Sequence, residues 1–200
     1  RVNELEDFEE DSAGTVFRDV ILLALIGFVA MVVMLLPHLR KSEVEAQDHK
    51  APGNVIVELH WPTNQAVDVD LWVMGPESTP VGFWNLGNRV FNLLRDDLGT
   101  DGDATEENYE VAYSRGIAAG EYIVDVHMYG PVPPGMIVPA TVVVSVRKEF
   151  EQTKQILKTQ VQLKRRHQEE TAFRFHLTSK GDLVKDSVAT LRRLLITEPM

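Results

Sequence analysis

Carboxylates are the residues of this chain whose type and spacing could do chemistry. Asp68 and Asp70 stand two apart in VDVDLWV and so share one face of an extended strand, while RDDLGTDGD crowds Asp96, Asp97, Asp101 and Asp103 into one loop with Gly99 and Gly102. Strand and loop carboxylates that converge form a hard-oxygen donor set, and calcium takes about six to eight oxygen ligands. Asp68, Asp70, Asp97, Asp101 and Asp103 are therefore the candidate calcium ligands. The spacing does not fit an EF-hand loop, and an acidic, solvated turn accounts for the same residues. A further acid, Asp19, stands where an apolar run begins, with Thr15 four residues earlier on the same helical face. Such a carboxylate either sits wet at the start of a helix, favoured by the helix dipole, or alternately binds and releases a proton with the threonine hydroxyl as its partner.

Other chemistries find little support. His60, His127, His167 and His176 show no paired ligand spacing for zinc, and zero cysteines exclude disulfides and thiolate metal sites. No nucleophile elbow, phosphate loop or HExxH motif occurs, so the chain is not expected to be an enzyme. With 30 acidic and 20 basic residues and a net charge of -10, it lacks the cationic face that nucleic acid requires. Trp72, Phe83 and Trp84 form either a sugar-stacking platform or part of a core.

The elements that must position these residues can be read from periodicity. Residues 20–36, VILLALIGFVAMVVMLL, are apolar on every face and uncharged, and end at Pro37. A helix of that length covers about 25 Å at 1.5 Å per residue. The hydrocarbon core is roughly 30 Å, so the span draws in residues from Thr15 onward. A cleaved signal would have a basic stretch before it, whereas ELEDFEED precedes this one. Counting Arg40, Lys41 and Lys50 against Arg1 and Arg18 weakly favours the C-terminal side inside. KSEVEAQDHKAPGN then reads as a linker, after which apolar and polar residues alternate. Val55, Val57, Leu59 and Trp61 make one strand, and Val67, Val69, Leu71 and Val73 another. Further strands are predicted at 80–84, 109–113, 120–129, 139–147, 155–163 and 170–177, together a β-sandwich. Val188, Leu191, Leu194 and Leu195 have helical spacing and predict a short C-terminal helix. The expected organisation is mainly β: an acidic tail over 1–14, a transmembrane helix over 15–39, a linker over 40–53 and a sandwich over 54–200.

Two resemblances add to this reading. TVFRDVILLALIGFVAMVV is similar to the single helix of the ExbD, TolR and MotB group of ion-driven motor subunits: Thr15, Asp19, Val20, Leu22, Leu25 and Phe28 fall where the pattern T-P-x-x-D-V-x-L-x-x-L-x-x-F places them. The pattern's proline is Val16 here, and Arg18 stands at a position that is usually apolar, beside Asp19. What the resemblance implies is a bacterial inner-membrane protein with a cytoplasmic N-terminus and a periplasmic domain. It further implies a homodimer inside a ring of MotA, ExbB or TolQ-like partners, in which Asp19 and Thr15 carry ions, most simply protons, and drive rotation. The second resemblance, carried by VDVDLWVMGPESTPVGFWN, RDDLGTDGD and EENYEV, is to a β-sandwich family of unassigned function in bacterial surface proteins, and it implies the fold alone. The alternative function is a membrane-anchored periplasmic module that binds protein or glycan.

Overall fold

A computed structural model describes residues 2–39, 52–99 and 107–196, which fall into an N-terminal helical unit and a β unit. Helix α1, Val2–Leu39, takes in the acidic stretch expected to be a tail. Its segment Gly14–Met34 is long and apolar enough to cross a membrane, with a mean hydropathy of 2.5. The side chains of that segment are exposed, with Val32 alone half-buried. Val16, Phe17, Leu23, Phe28 and Met34 are each more than half open, an apolar surface far too wide for a helix facing water on all sides.

The β unit contains eight strands among the described residues: β1 Val55–His60, β2 Val69–Met74, β3 Phe91–Arg95, β4 Tyr109–Ser114, β5 Gly120–Met128, β6 Val138–Val146, β7 Lys154–Leu163 and β8 Glu169–Leu177. All pairings are antiparallel, in sheets ordered β3-β4-β1-β6-β7 and β2-β5-β8. The two sheets face each other across one apolar core, as in a sandwich. Alternation puts Val55, Val57 and Leu59 of β1 and Val142, Val144 and Val146 of β6 against Leu71, Val73, Val124, Val126, Phe173 and Phe175. Tyr122 stacks on Phe175 at 5.4 Å between centroids and meets Phe91 edge-on at 5.9 Å, while its hydroxyl donates to the Ala118 carbonyl at 2.7 Å. A buried phenol that keeps a hydrogen-bond partner joins large apolar contact to a satisfied polar end.

Asn54 locks the start of β1. Its backbone N–H donates to the Ser114 carbonyl, its Nδ2 to the Arg147 carbonyl, and its Oδ1 accepts from Gly116 N–H. Asn54, where the sandwich was expected to begin, is thus tied into both neighbouring strand ends, while the chain divides into its two units between Gln47 and Asp48.

Three expectations for local structure change. The strand predicted at 80–84 is reduced to isolated bridges, Val73 with Val81 and Gly82 with Asn85, and the regular strand in this stretch is β3. β1 and β2 are buried on both faces, not half-buried, because the outer face of each is also covered. Among the described residues no helix forms toward the C-terminal end: Ala189 exchanges both backbone hydrogen bonds with Arg174 of β8, and residues 191–196 lie along the outer face of the second sheet. There Leu195 and Ile196 bury Trp72 and Ile123 together with Met74 and Phe83. The helical spacing fails because that face offers carboxylate acceptors for the N–H groups of Leu195 and Ile196, and Leu191, on the would-be apolar stripe, is 70% exposed.

Candidate metal site at the edge of β2

β2 is an edge strand of its sheet, so alternate N–H groups along it lack a neighbouring strand. Val81 takes one of them, its carbonyl accepting from Val73 N–H at 2.9 Å. Glu110 of β4 takes another, its Oε2 accepting from Leu71 N–H at 2.6 Å. Glu110 shares the inward parity of Ala112 on β4 and is fully buried, and its Oε1 accepts from the N–H of Asp97 at 3.2 Å. An acid at a core position of a strand is held there by these two donors.

Around this anchor the carboxylates gather. Asp70, Asp96 and Glu110 each bring one oxygen to within 4.8 Å of the other two, with Asp70 and Glu110 buried and Asp96 exposed. Asp70 Oδ2 is 2.9 Å from Nδ1 of His127 on β5, the residue directly opposite it in register. Asp68, one residue before β2, has a buried Oδ1 without a hydrogen-bond partner. Burial, reinforced by Asp70, Asp96 and Asp97, pushes the Asp68 carboxyl up to about 7. Burial also raises Asp70, against the pull of His127, and raises Glu110 well above the ordinary carboxylate range. The site is short of positive charge, a deficit that protons fill near neutral pH and that a divalent cation would fill instead. The all-oxygen donor set, part fixed and part exposed, suits calcium in kind, since that ion accepts carboxylates in irregular geometry and completes its shell with water.

The predicted ligands divide accordingly. Asp70 is one of the three converging carboxylates, and Asp68 is coupled to it electrostatically without being one of them. Asp97 does not join them as a ligand: its Oδ2 is paired with Arg95 at 2.6 Å and accepts from Tyr109 N–H, and its Oδ1 accepts from Gly99 N–H. With the Arg95 guanidinium already supplying its counter-charge, the Asp97 carboxylate braces the loop. Asp101 and Asp103 lie outside the described residues. Glu110 and His127 were not expected at the site, although each left a signal: Glu110 interrupts the apolar parity of β4, and His127 shares the outward parity of Asp125 on β5. The loop itself depends on Gly99, whose φ of +59° is left-handed and where a Cβ would come within 2.0 Å of the Val67 carbonyl oxygen.

The aromatic platform is also narrower than expected. Trp72 is fully buried and Phe83 half-buried, leaving Trp84, 56% exposed and 4.2 Å from Trp72 between ring centroids, as the ring available to a partner. On α1, Thr15 and Asp19 are exposed, one helical turn apart, with Arg18 beside Asp19. Compared with known proteins, the chain matches no family model, no curated protein and no solved structure.

Proposed function

We propose that this chain is a membrane-anchored binding module whose β-sandwich takes up a divalent cation, calcium by its donor chemistry, at the edge of β2. The observation that carries this reading is the convergence of Asp70, Asp96 and Glu110 oxygens within 4.8 Å, with Asp68 alongside. The helix segment Gly14–Met34 supplies the anchor, and the sandwich is the part exposed to the envelope. The cation would tie the loop after β3 to β2 and β4 and so stiffen one end of the sandwich for contact with a partner. Calorimetric titration of the full chain in detergent with calcium chloride tests this. The expected result is one binding event that releases protons and tightens as pH rises, weakened at least about tenfold in Asp70→Asn. No binding of millimolar calcium at mildly alkaline pH overturns it.

A second reading is favoured by the spacing of Thr15 and Asp19 on α1, the pattern of the ExbD, TolR and MotB helices. In it the chain is a homodimeric motor subunit inside a MotA, ExbB or TolQ-like ring, and Asp19 relays protons. A carboxylate at the border of a span is better accommodated within such a protein-lined path than in lipid. Native mass measurement of the complex purified with co-expressed ring candidates separates the readings. Two copies within a ring support the motor, which then requires Asp19→Asn to abolish output while insertion and folding persist; a lone monomer or simple dimer removes it.

A further inference from the structure

Away from the edge of β2, a second pair of acids is buried on the outer face of the β2-β5-β8 sheet. Asp125 of β5 is 0% exposed and Glu169 of β8 is 5% exposed. Their carboxyl groups converge on one backbone donor: Leu195 N–H donates to Asp125 Oδ2 at 3.0 Å and to Glu169 Oε1 at 2.8 Å, and Ile196 N–H adds a bond to Glu169 Oε1 at 3.1 Å. Asp125 Oδ1 is buried with no partner. Two carboxylates this close in a site sealed from water cannot both carry a charge at tolerable cost, so the geometry calls for a proton on one of them.

Among the described residues no cation is paired with either carboxylate. On β5 the titratable groups of the same face are Glu121 and His127. On β8 they are Arg174 and His176, on β2 Asp70, and on the segment across the sheet Arg192 and Arg193. Arg174 and Arg193 are both engaged with Glu121, at 2.6 Å and 2.8 Å, and His127 is engaged with Asp70. Directly opposite Asp125 stand Trp72 on β2 and Thr171 on β8, which are neutral.

We propose that residues 189–196 form a strap that one proton shared by Asp125 and Glu169 holds onto the sandwich, and that loss of this proton releases the strap. The fastenings run in series. Ala189 pairs with Arg174, the Arg193 N–H donates to Thr171 Oγ1 at 2.9 Å, and Leu195 and Ile196 close over Trp72 and Ile123. The outer fastenings are ordinary backbone and surface bonds, whereas the last sits on the acid pair. Burial and Glu169 raise the Asp125 carboxyl to about 8. A group raised in the docked state favours docking at low pH, so the strap is held most firmly in the ordinary carboxylate range and loosens progressively as pH rises toward that value. Release uncovers Trp72 and Ile123, an apolar face that the docked strap hides.

Hydrogen–deuterium exchange on the full chain in detergent, with protection factors corrected for the intrinsic pH dependence of exchange, tests the strap. Protection at Leu195 and Ile196 is expected to fall by up to about tenfold per pH unit as pH rises from about 6 toward about 8 and to level off above it, while β5 and β8 stay protected. In Asp125→Asn the same amides should stay protected across that range, because one charge remains and the new amide can donate to Glu169. Constant protection in the unsubstituted chain from about pH 6 to about pH 9.5 overturns the proposal, as does an identical fall in Asp125→Asn. Should that variant fail to fold, Glu169→Gln makes the same comparison, and the unsubstituted chain alone still decides whether the strap responds to pH.

Discussion

Glu110 offers the sharpest test of the β2 edge site, because one residue both caps the strand and supplies an ion ligand. Replacing it with alanine leaves Leu71 N–H and Asp97 N–H buried without an acceptor, at about 1–3 kcal/mol each. With the small cavity added, the loss is roughly 3–6 kcal/mol, a large share of the about 5–15 kcal/mol that holds a typical domain. At about 2–4 °C per kcal/mol for a domain of this size, the melting temperature should fall on the order of 10–20 °C. Glu110→Gln separates the two roles, since the amide oxygen can still accept from Leu71 while the charge is gone. In the unsubstituted chain without calcium, the raised Glu110, Asp70 and Asp68 carboxyls favour the folded state when protonated, so stability should decline as pH rises from the ordinary carboxylate range through about 7 and, with Glu110 raised well above that range, beyond it. Calcium at about a hundred times its dissociation constant should restore about 2.7 kcal/mol. Glu110→Gln should show a shallower alkaline decline and little gain from calcium. Scanning calorimetry near pH 6 and about pH 8.5, with calcium or chelator, reads every arm. An unchanged melting temperature in Glu110→Ala, or a full calcium gain in Glu110→Gln, rules out this double role of Glu110.

Gly99→Ala should destabilise the β3–β4 loop and weaken calcium binding, because its left-handed φ and the 2.0 Å approach to the Val67 carbonyl leave no room for a methyl; urea unfolding should show a loss of about 2 kcal/mol or more. Arg95→Met strands the buried Asp97 carboxylate and should cost about 3–5 kcal/mol by the same assay, an effect that Asp97→Asn in the same chain partly reverses. Tyr122→Phe keeps the aromatic stack but leaves the Ala118 carbonyl without its donor, and should cost about 1 kcal/mol.

Among these features, those that depend on neighbours in sequence were legible without coordinates. The apolar helix is such a property, since 17 successive side chains without charge need no tertiary partner to be recognised. So is the sandwich, because alternation in VIVELH and VDLWVM sets which side chains meet a core before any pairing is known. The strands whose alternation is cleanest, β1, β2, β5, β6 and β8, were found within a residue or two, whereas FNLLR, which alternates poorly, was missed in favour of 80–84.

The site was legible only in part, for a physical reason. Composition revealed that acids cluster in two segments, but which oxygens converge depends on β4 lying beside the open edge of β2, a contact spanning 39 residues that no local spacing encodes. Tertiary structure therefore selected Glu110 as an anchor and turned Asp97 toward Arg95 and its own loop. It also decided the fate of the C-terminal segment, where helical spacing lost to the hydrogen-bond acceptors of Asp125, Glu169 and Arg174 on the outer sheet face. Local periodicity determined what each segment of this chain could become, and the pairing of distant strand edges decided which buried acids were left facing one another.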